Sequence, residues 1–183
     1  MENKELTHKK LSIADMNRIS KDEFKTTDKM PLILVLDNVR SLNNIGAMFR
    51  TSDAFLVESI YLCGISSPPP SPEIHKTALG AEDVVDWKYF EDTHNAVDKL
   101  KQMGYIVYSI EQVENSIKLD KIQLDKNFKY AVIMGNEVKG VQQSVVDISD
   151  GCIEIPQFGT KHSLNVSVTA GLVIWDFFKK LKL

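Results

Sequence analysis

The sequence predicts an α/β fold, a mostly parallel sheet flanked by helices. Three observations predict it. Apolar runs of strand length recur, segments of helical spacing separate them, and polar clusters follow several of the runs. Strands alternating with helices build parallel sheets, because each crossover carries a helix back across a sheet face.

Residues 1–29 are polar and mixed in charge and form an N-terminal extension to a domain spanning 30–183. Within the extension, Ser12 followed by Asp15 resembles a helix-start signal, so a short helix is expected there. The extension docks on the domain, touches a substrate, or stays a solvated arm. From Pro31 the pattern is regular. Leu32–Leu36 is a continuous apolar run, as in a strand covered on both faces. A polar turn over Asp37–Asn44 leads into helical spacing from Gly46 to Leu56. Ser59–Cys63 is the next strand. Three consecutive prolines within 66–72 impose a loop, since proline breaks both helix and sheet ladders. Ile74–Gly80 suits a short helix. Asp92–Met103 is amphipathic and stops at Gly104. Tyr105–Ile110 and Lys129–Met134 are strands, Val141–Val146 a helix, and Cys152–Ile155 a last short strand closed by Pro156. A long helix is expected over Ser163–Leu181, with Ser163 as its N-cap.

Composition narrows the function. With 183 residues, 43% hydrophobic and 26% charged, the chain suits one well-cored globular domain. No apolar run is long enough to span a membrane, and the N-terminus lacks an apolar signal core, so a cytoplasmic protein is expected. Cys63 and Cys152 sit in apolar runs and read as buried free thiols. They and the four scattered histidines lack metal-ligand spacing. No metal is expected. The net charge of −3 argues against nonspecific coating of nucleic acid. A local basic groove from Arg40, Arg50, Lys76, Lys139 and Lys161 stays open.

Three polar clusters each sit where a strand ends, and open parallel sheets bind ligands beyond the carboxyl ends of their strands. The first is Asn43-Asn44-Ile45-Gly46 with Arg50 following. By spacing alone, Asn44 is either a helix cap or, with Arg50, a polar pair aimed at a phosphate or hydroxyl. The second, Gly135-Asn136-Glu137-Val138-Lys139-Gly140, is a tight turn that exposes backbone. It matches neither the P-loop nor the dinucleotide fingerprint. The third runs from Ile155-Pro156 to Ser163-Leu164-Asn165. The helix behind it is apolar on nearly every side, so it belongs in a core or between subunits, and a twofold homodimer is expected.

In this order and spacing the clusters resemble the SpoU (TrmH) family of the SPOUT class of RNA methyltransferases. The matching motifs are Asn44-Ile45-Gly46 with Arg50-Thr51, then Gly135-Asn136-Glu137-Val138-Lys139-Gly140, then Ile155-Pro156 with Ser163-Leu164-Asn165-Val166-Ser167. The likeness runs from about Pro31 to Leu181. Ser41-Leu42 stands where many members carry Asp-Pro, and Ser52 where an alanine is common.

The resemblance implies a C-terminal deep trefoil knot, which periodicity would never suggest. It implies S-adenosyl-L-methionine as methyl donor, held mainly by backbone groups of Gly135, Ile155, Ser163 and Leu164, with Ile110 and Glu111 completing the site. The implied reaction methylates a ribose 2′-hydroxyl of RNA. Transfer RNA comes first, with guanosine-18 as the position, and ribosomal RNA second. A non-catalytic RNA-binding protein that keeps the fold is the rival from another class. By family analogy Arg50 lies closest to the hydroxyl proton, as a base or as a positioner of an RNA phosphate. Asn44 would fix Arg50 or that phosphate, and Glu137, Ser163 and Asn165 would shape the site. If the last helix forms a dimer, Asn44 and Arg50 would enter the site from the second copy.

Overall fold

A computed structural model describes residues 8–12 and 14–183. Its strands are β1 (Met30–Asp37), β2 (Val57–Cys63), β3 (Trp87–Phe90), β4 (Tyr105–Ile110), β5 (Ile117–Lys118), β6 (Lys129–Met134) and β7 (Gly151–Glu154). Its helices are α1 (Lys21–Thr26), α2 (Leu42–Ala54), α3 (Pro72–Ala78), α4 (Thr93–Gln102), α5 (Gln143–Asp147) and α6 (Val166–Lys182). The sheet order is β3-β2-β1-β6-β4-β7-β5, and every described strand pair is parallel.

The unbroken apolar run of β1 reflects cover on both faces. Leu32, Leu34 and Leu36 join a core with Ile45 and Phe49 of α2 and Val173 and Phe177 of α6. Ile33 and Val35 face the other way, into a second core with Val97 and Leu100 of α4 and Val145 of α5. At about 25 cal/mol per Å² of apolar surface removed from water, this two-sided burial is what holds the central strands together.

Several local expectations shift. Helix α2 starts four residues before Gly46, because Ser41 caps it: the Ser41 hydroxyl accepts from the Asn44 amide at 3.3 Å. Asn44 therefore lies inside the first turn and does not cap it. Gly46 sits where α2 crosses α3. A Cβ there would lie 2.1 Å from Thr77 Oγ1 and 2.3 Å from the Ile74 carbonyl oxygen, so the two helices meet only over a glycine. Ser12 and Asp15 do bond each other (hydroxyl to carboxylate, 2.6 Å), but they close one 3-10 turn over Ala14–Met16. The α-helix of the extension comes later, with a capping box of Ser20 and Glu23, and it sinks Phe24 into the core. Strands β3 and β5 gave no sequence signal: both are short edge strands with largely exposed side chains.

The N-cap of helix α6 lies two residues later than expected. It is Asn165, whose side-chain oxygen accepts from the amides of Ser167 (2.9 Å) and Val168 (3.4 Å). Ser163 is left in the preceding loop. Nor is α6 buried all round in the single chain. Val166, Ala170, Val173, Ile174, Phe177 and Leu181 face the core, while Val168, Leu172 and Trp175 are exposed. No described helix is long and apolar enough to cross a membrane.

Candidate active site

The residues after β6 form a closed turn. Asn136 and Gly140 exchange backbone hydrogen bonds of 3.0 and 2.9 Å, and the Asn136 side-chain oxygen accepts from the amides of Val138 and Lys139. Both glycines are required. A Cβ on Gly135 would lie 2.2 Å from the Gly140 carbonyl carbon and from the Val141 nitrogen. Gly140 has φ +69°, a left-handed conformation that side chains disfavour, and a Cβ there would strike the Glu111 carboxylate at 2.2 Å.

Carboxylates and amides pin this turn to the sheet. Glu111, just past β4, accepts from the Val141 amide at 3.0 Å. The Asn136 side chain donates to the Asn38 carbonyl at 2.7 Å. Asp37, fully buried at the end of β1, accepts from the backbone and side-chain nitrogens of Gln142, both at 2.8 Å. It also accepts from the Thr93 hydroxyl at 2.7 Å and the Asn38 side chain at 2.9 Å. A buried carboxylate persists only when its oxygens are matched by donors in this way.

Glu137 reaches from the turn to the start of α2. It accepts from the amides of Arg40 and Ser41 and from the Asn44 side chain, each at 3.0 Å. Partial burial pushes its pKa up, but the Arg40 and Ser41 amides, with Asn44, outweigh that and hold the carboxyl below its usual value. The network continues. Asn44 Oδ1 accepts from the Asn165 side chain at 3.3 Å and from the Ser167 hydroxyl at 3.4 Å. With two oxygens serving three donors, Glu137 is an anchor for Asn44, and three of its roughly four lone-pair sites are engaged.

A cleft of about 500 Å³ opens between this turn, the end of β4 and the 155–164 segment. Ile110, Glu111, Gly135, Glu137, Ile155, Ser163 and Leu164 all line it. The segment is tied across the mouth by the Gln112 side chain, which donates to the His162 carbonyl at 2.9 Å. Asn44 and Asn165 stand behind Glu137 and join the site through hydrogen bonds. Arg50 does not join it. It is exposed on α2, and six residues of helix place it about 9 Å along the axis and roughly 240° around from Asn44. The sequence reading missed Asp37, Asn38 and Asn136 as the groups that hold the turn. A polar pair directly ending an apolar strand was the available signal for the first two.

An all-parallel α/β domain with a ligand-sized cleft at the carboxyl ends of its strands, built on a glycine-framed turn, defines the class. The chain belongs to the SpoU rRNA Methylase family, whose model matches residues 31–175. It is 33% identical over 151 residues to an uncharacterized tRNA/rRNA methyltransferase of Borreliella burgdorferi, covering 82% of this chain and 65% of the relative. It is 32% identical to the 23S rRNA (guanosine-2′-O-)-methyltransferase RlmB of Pseudomonas putida, covering 82% and 59%. The chain thus spans less than two thirds of these relatives. Its fold is similar to that of the A. aeolicus TrmH/SpoU tRNA modifying enzyme, with TM-score 0.76, 24% identity and cover of 87% and 79%. It also matches an AdoMet-bound rRNA methyltransferase from Sinorhizobium meliloti, with TM-score 0.77, 23% identity and cover of 87% and 61%.

Proposed function

We propose that this chain transfers a methyl group from S-adenosyl-L-methionine to a ribose 2′-hydroxyl of RNA, with tRNA the first substrate to test and guanosine-18 the first position. The observation that carries the reading is the convergence of three sequence-distant segments on one cleft, with a polar network anchored on Glu137 at its wall. About 500 Å³ is within the range of small-ligand sites. The lining fits the donor: Gly135, Ile155, Ser163 and Leu164 would hold it largely by backbone groups, with Ile110 and Glu111 at the end of β4. When bound, the donor supplies a methyl group on a positively charged sulfonium, open to in-line displacement by an oxygen.

The chain's own residues must then orient the hydroxyl and help its proton leave. Asn44, fixed by Glu137 and Asn165, offers a side chain of set orientation beside the cleft. Ser163 lies on the lining itself. Arg50 points away from this cleft, so its role is assigned to the site of a second copy in a twofold dimer, holding an RNA phosphate as a guanidinium, or taking the hydroxyl proton only as a deprotonated, neutral guanidine. The exposed stripe of Val168, Leu172 and Trp175 supports α6 as the dimer face. The trefoil-knotted C-terminal path rests on the family likeness; in this chain α6 packs on α2 and β1. The unpaired thiols Cys63 and Cys152 support a cytoplasmic setting.

Ribosomal RNA is the second reading, favoured by the likeness to RlmB. Methyl incorporation into unmodified tRNA and into ribosomal RNA, with donor binding followed by calorimetry, tests the proposal. Arg50→Ala should lose turnover and keep donor affinity. Full turnover by that variant removes Arg50 from the chemistry. Failure of the wild-type chain to bind the donor, with RNA binding intact, would instead make it a non-catalytic RNA-binding protein. Leu172→Asp should dissociate the dimer in sedimentation.

A further inference from the structure

A second, smaller cleft of about 320 Å³ lies beside the first and is lined by Arg40, Ser41 and Glu137. Glu137 is common to both clefts. Arg40 is exposed, and among the described residues its one hydrogen bond runs from its backbone nitrogen to Glu137. Among the described residues its guanidinium makes no ion pair, and the Glu137 oxygens face the amides of Arg40 and Ser41 and the Asn44 side chain. An unpaired guanidinium, charged at any physiological pH, therefore borders an open cleft that shares one wall with the donor cleft.

We propose that Arg40 binds a backbone phosphate of the acceptor RNA in this second cleft, placing the adjoining ribose at the Glu137 wall where the two clefts meet. The inference rests on the RNA methyl-transfer reading above. Phosphate is the anion that RNA presents next to every ribose hydroxyl, and a guanidinium fork matches its geometry in two parallel hydrogen bonds. A monodentate ammonium at the same place would recognise it less well.

The test separates RNA binding from donor binding. Affinity for an in-vitro-transcribed, unmodified tRNA is measured against salt for wild type, Arg40→Ala, Arg40→Lys and Lys99→Ala. Lys99, in the last turn of α4, is a charge-loss control. Loss of one phosphate contact lowers the slope of log affinity against log salt by about one. Arg40→Ala should show that change and bind tRNA about tenfold more weakly, with unchanged donor affinity. Arg40→Lys should recover the slope and part of the affinity. Lys99→Ala should keep the wild-type slope. An unchanged slope in Arg40→Ala, a loss of donor affinity, or a change in oligomeric state that accounts for the weaker binding would overturn the assignment. If wild type binds neither donor nor RNA, the reading beneath it fails instead.

Discussion

The Glu137 carboxylate holds the Asn44 side chain at 3.0 Å, across 93 positions of sequence. This contact joins the turn after β6 to the first turn of α2, and Asn165 adds the start of α6. Three segments that look like separate punctuation in the sequence are thus one hydrogen-bonded unit.

Replacing Glu137 by Gln should loosen that unit. An amide offers one acceptor where three donors converge, and the site is partly open to water, so the expected cost is about 1 kcal/mol. The pH dependence has a definite sign. The folded carboxyl titrates below its ordinary 4.5, so the unfolded chain takes up the proton first. The stabilisation is complete above that ordinary value and fades as pH falls through the lower, folded one. Denaturation from pH 7 to 3 should show a flatter acid limb in Glu137→Gln than in wild type.

Gly135→Ala places a methyl group where Gly140 and Val141 already lie at 2.2 Å. The turn must move, and the cleft moves with it. Calorimetry should find donor affinity lowered at least tenfold (about 1.4 kcal/mol), in a chain whose circular dichroism stays native. Undiminished affinity would show that the turn does not frame the donor site.

Asp37→Asn should be among the more destabilising single changes. It puts an amide nitrogen into a fully buried site whose four neighbours are all donors. Urea denaturation should register a loss of about 3 kcal/mol. A shift below about 0.5 kcal/mol would mean that this network adds little to the fold.

Cys63 should resist alkylation in the native protein. Burial raises its thiol pKa to about 12, so little thiolate exists at pH 8. Cys152 is only partly buried, and its pKa is raised to a lesser extent by burial and by the Glu111 charge. Mass spectrometry after iodoacetamide treatment should find Cys152 labelled first and Cys63 labelled only in denaturant.

The sequence by itself determined the strands that lie in the core and the order of the site's parts. β4 and β6 could be read to the residue, because an apolar run bounded by glycine or charge has one economical reading as a buried strand. Gly135 and Gly140 were legible for a related reason: a backbone that must pass this close tolerates no side chain. Tertiary structure decided what depends on partners distant in sequence. Ser41 and Asn165 take the caps that spacing offered to Asn44 and Ser163, because a cap is set by where the chain bends. Asp37 becomes the clasp of the turn only when Gln142 and Thr93 are brought to it. Arg50 shares a motif with Asn44, yet the helical rotation between them turns it away. Residue types and their spacing are properties of the chain, whereas the direction in which a side chain points belongs to the fold.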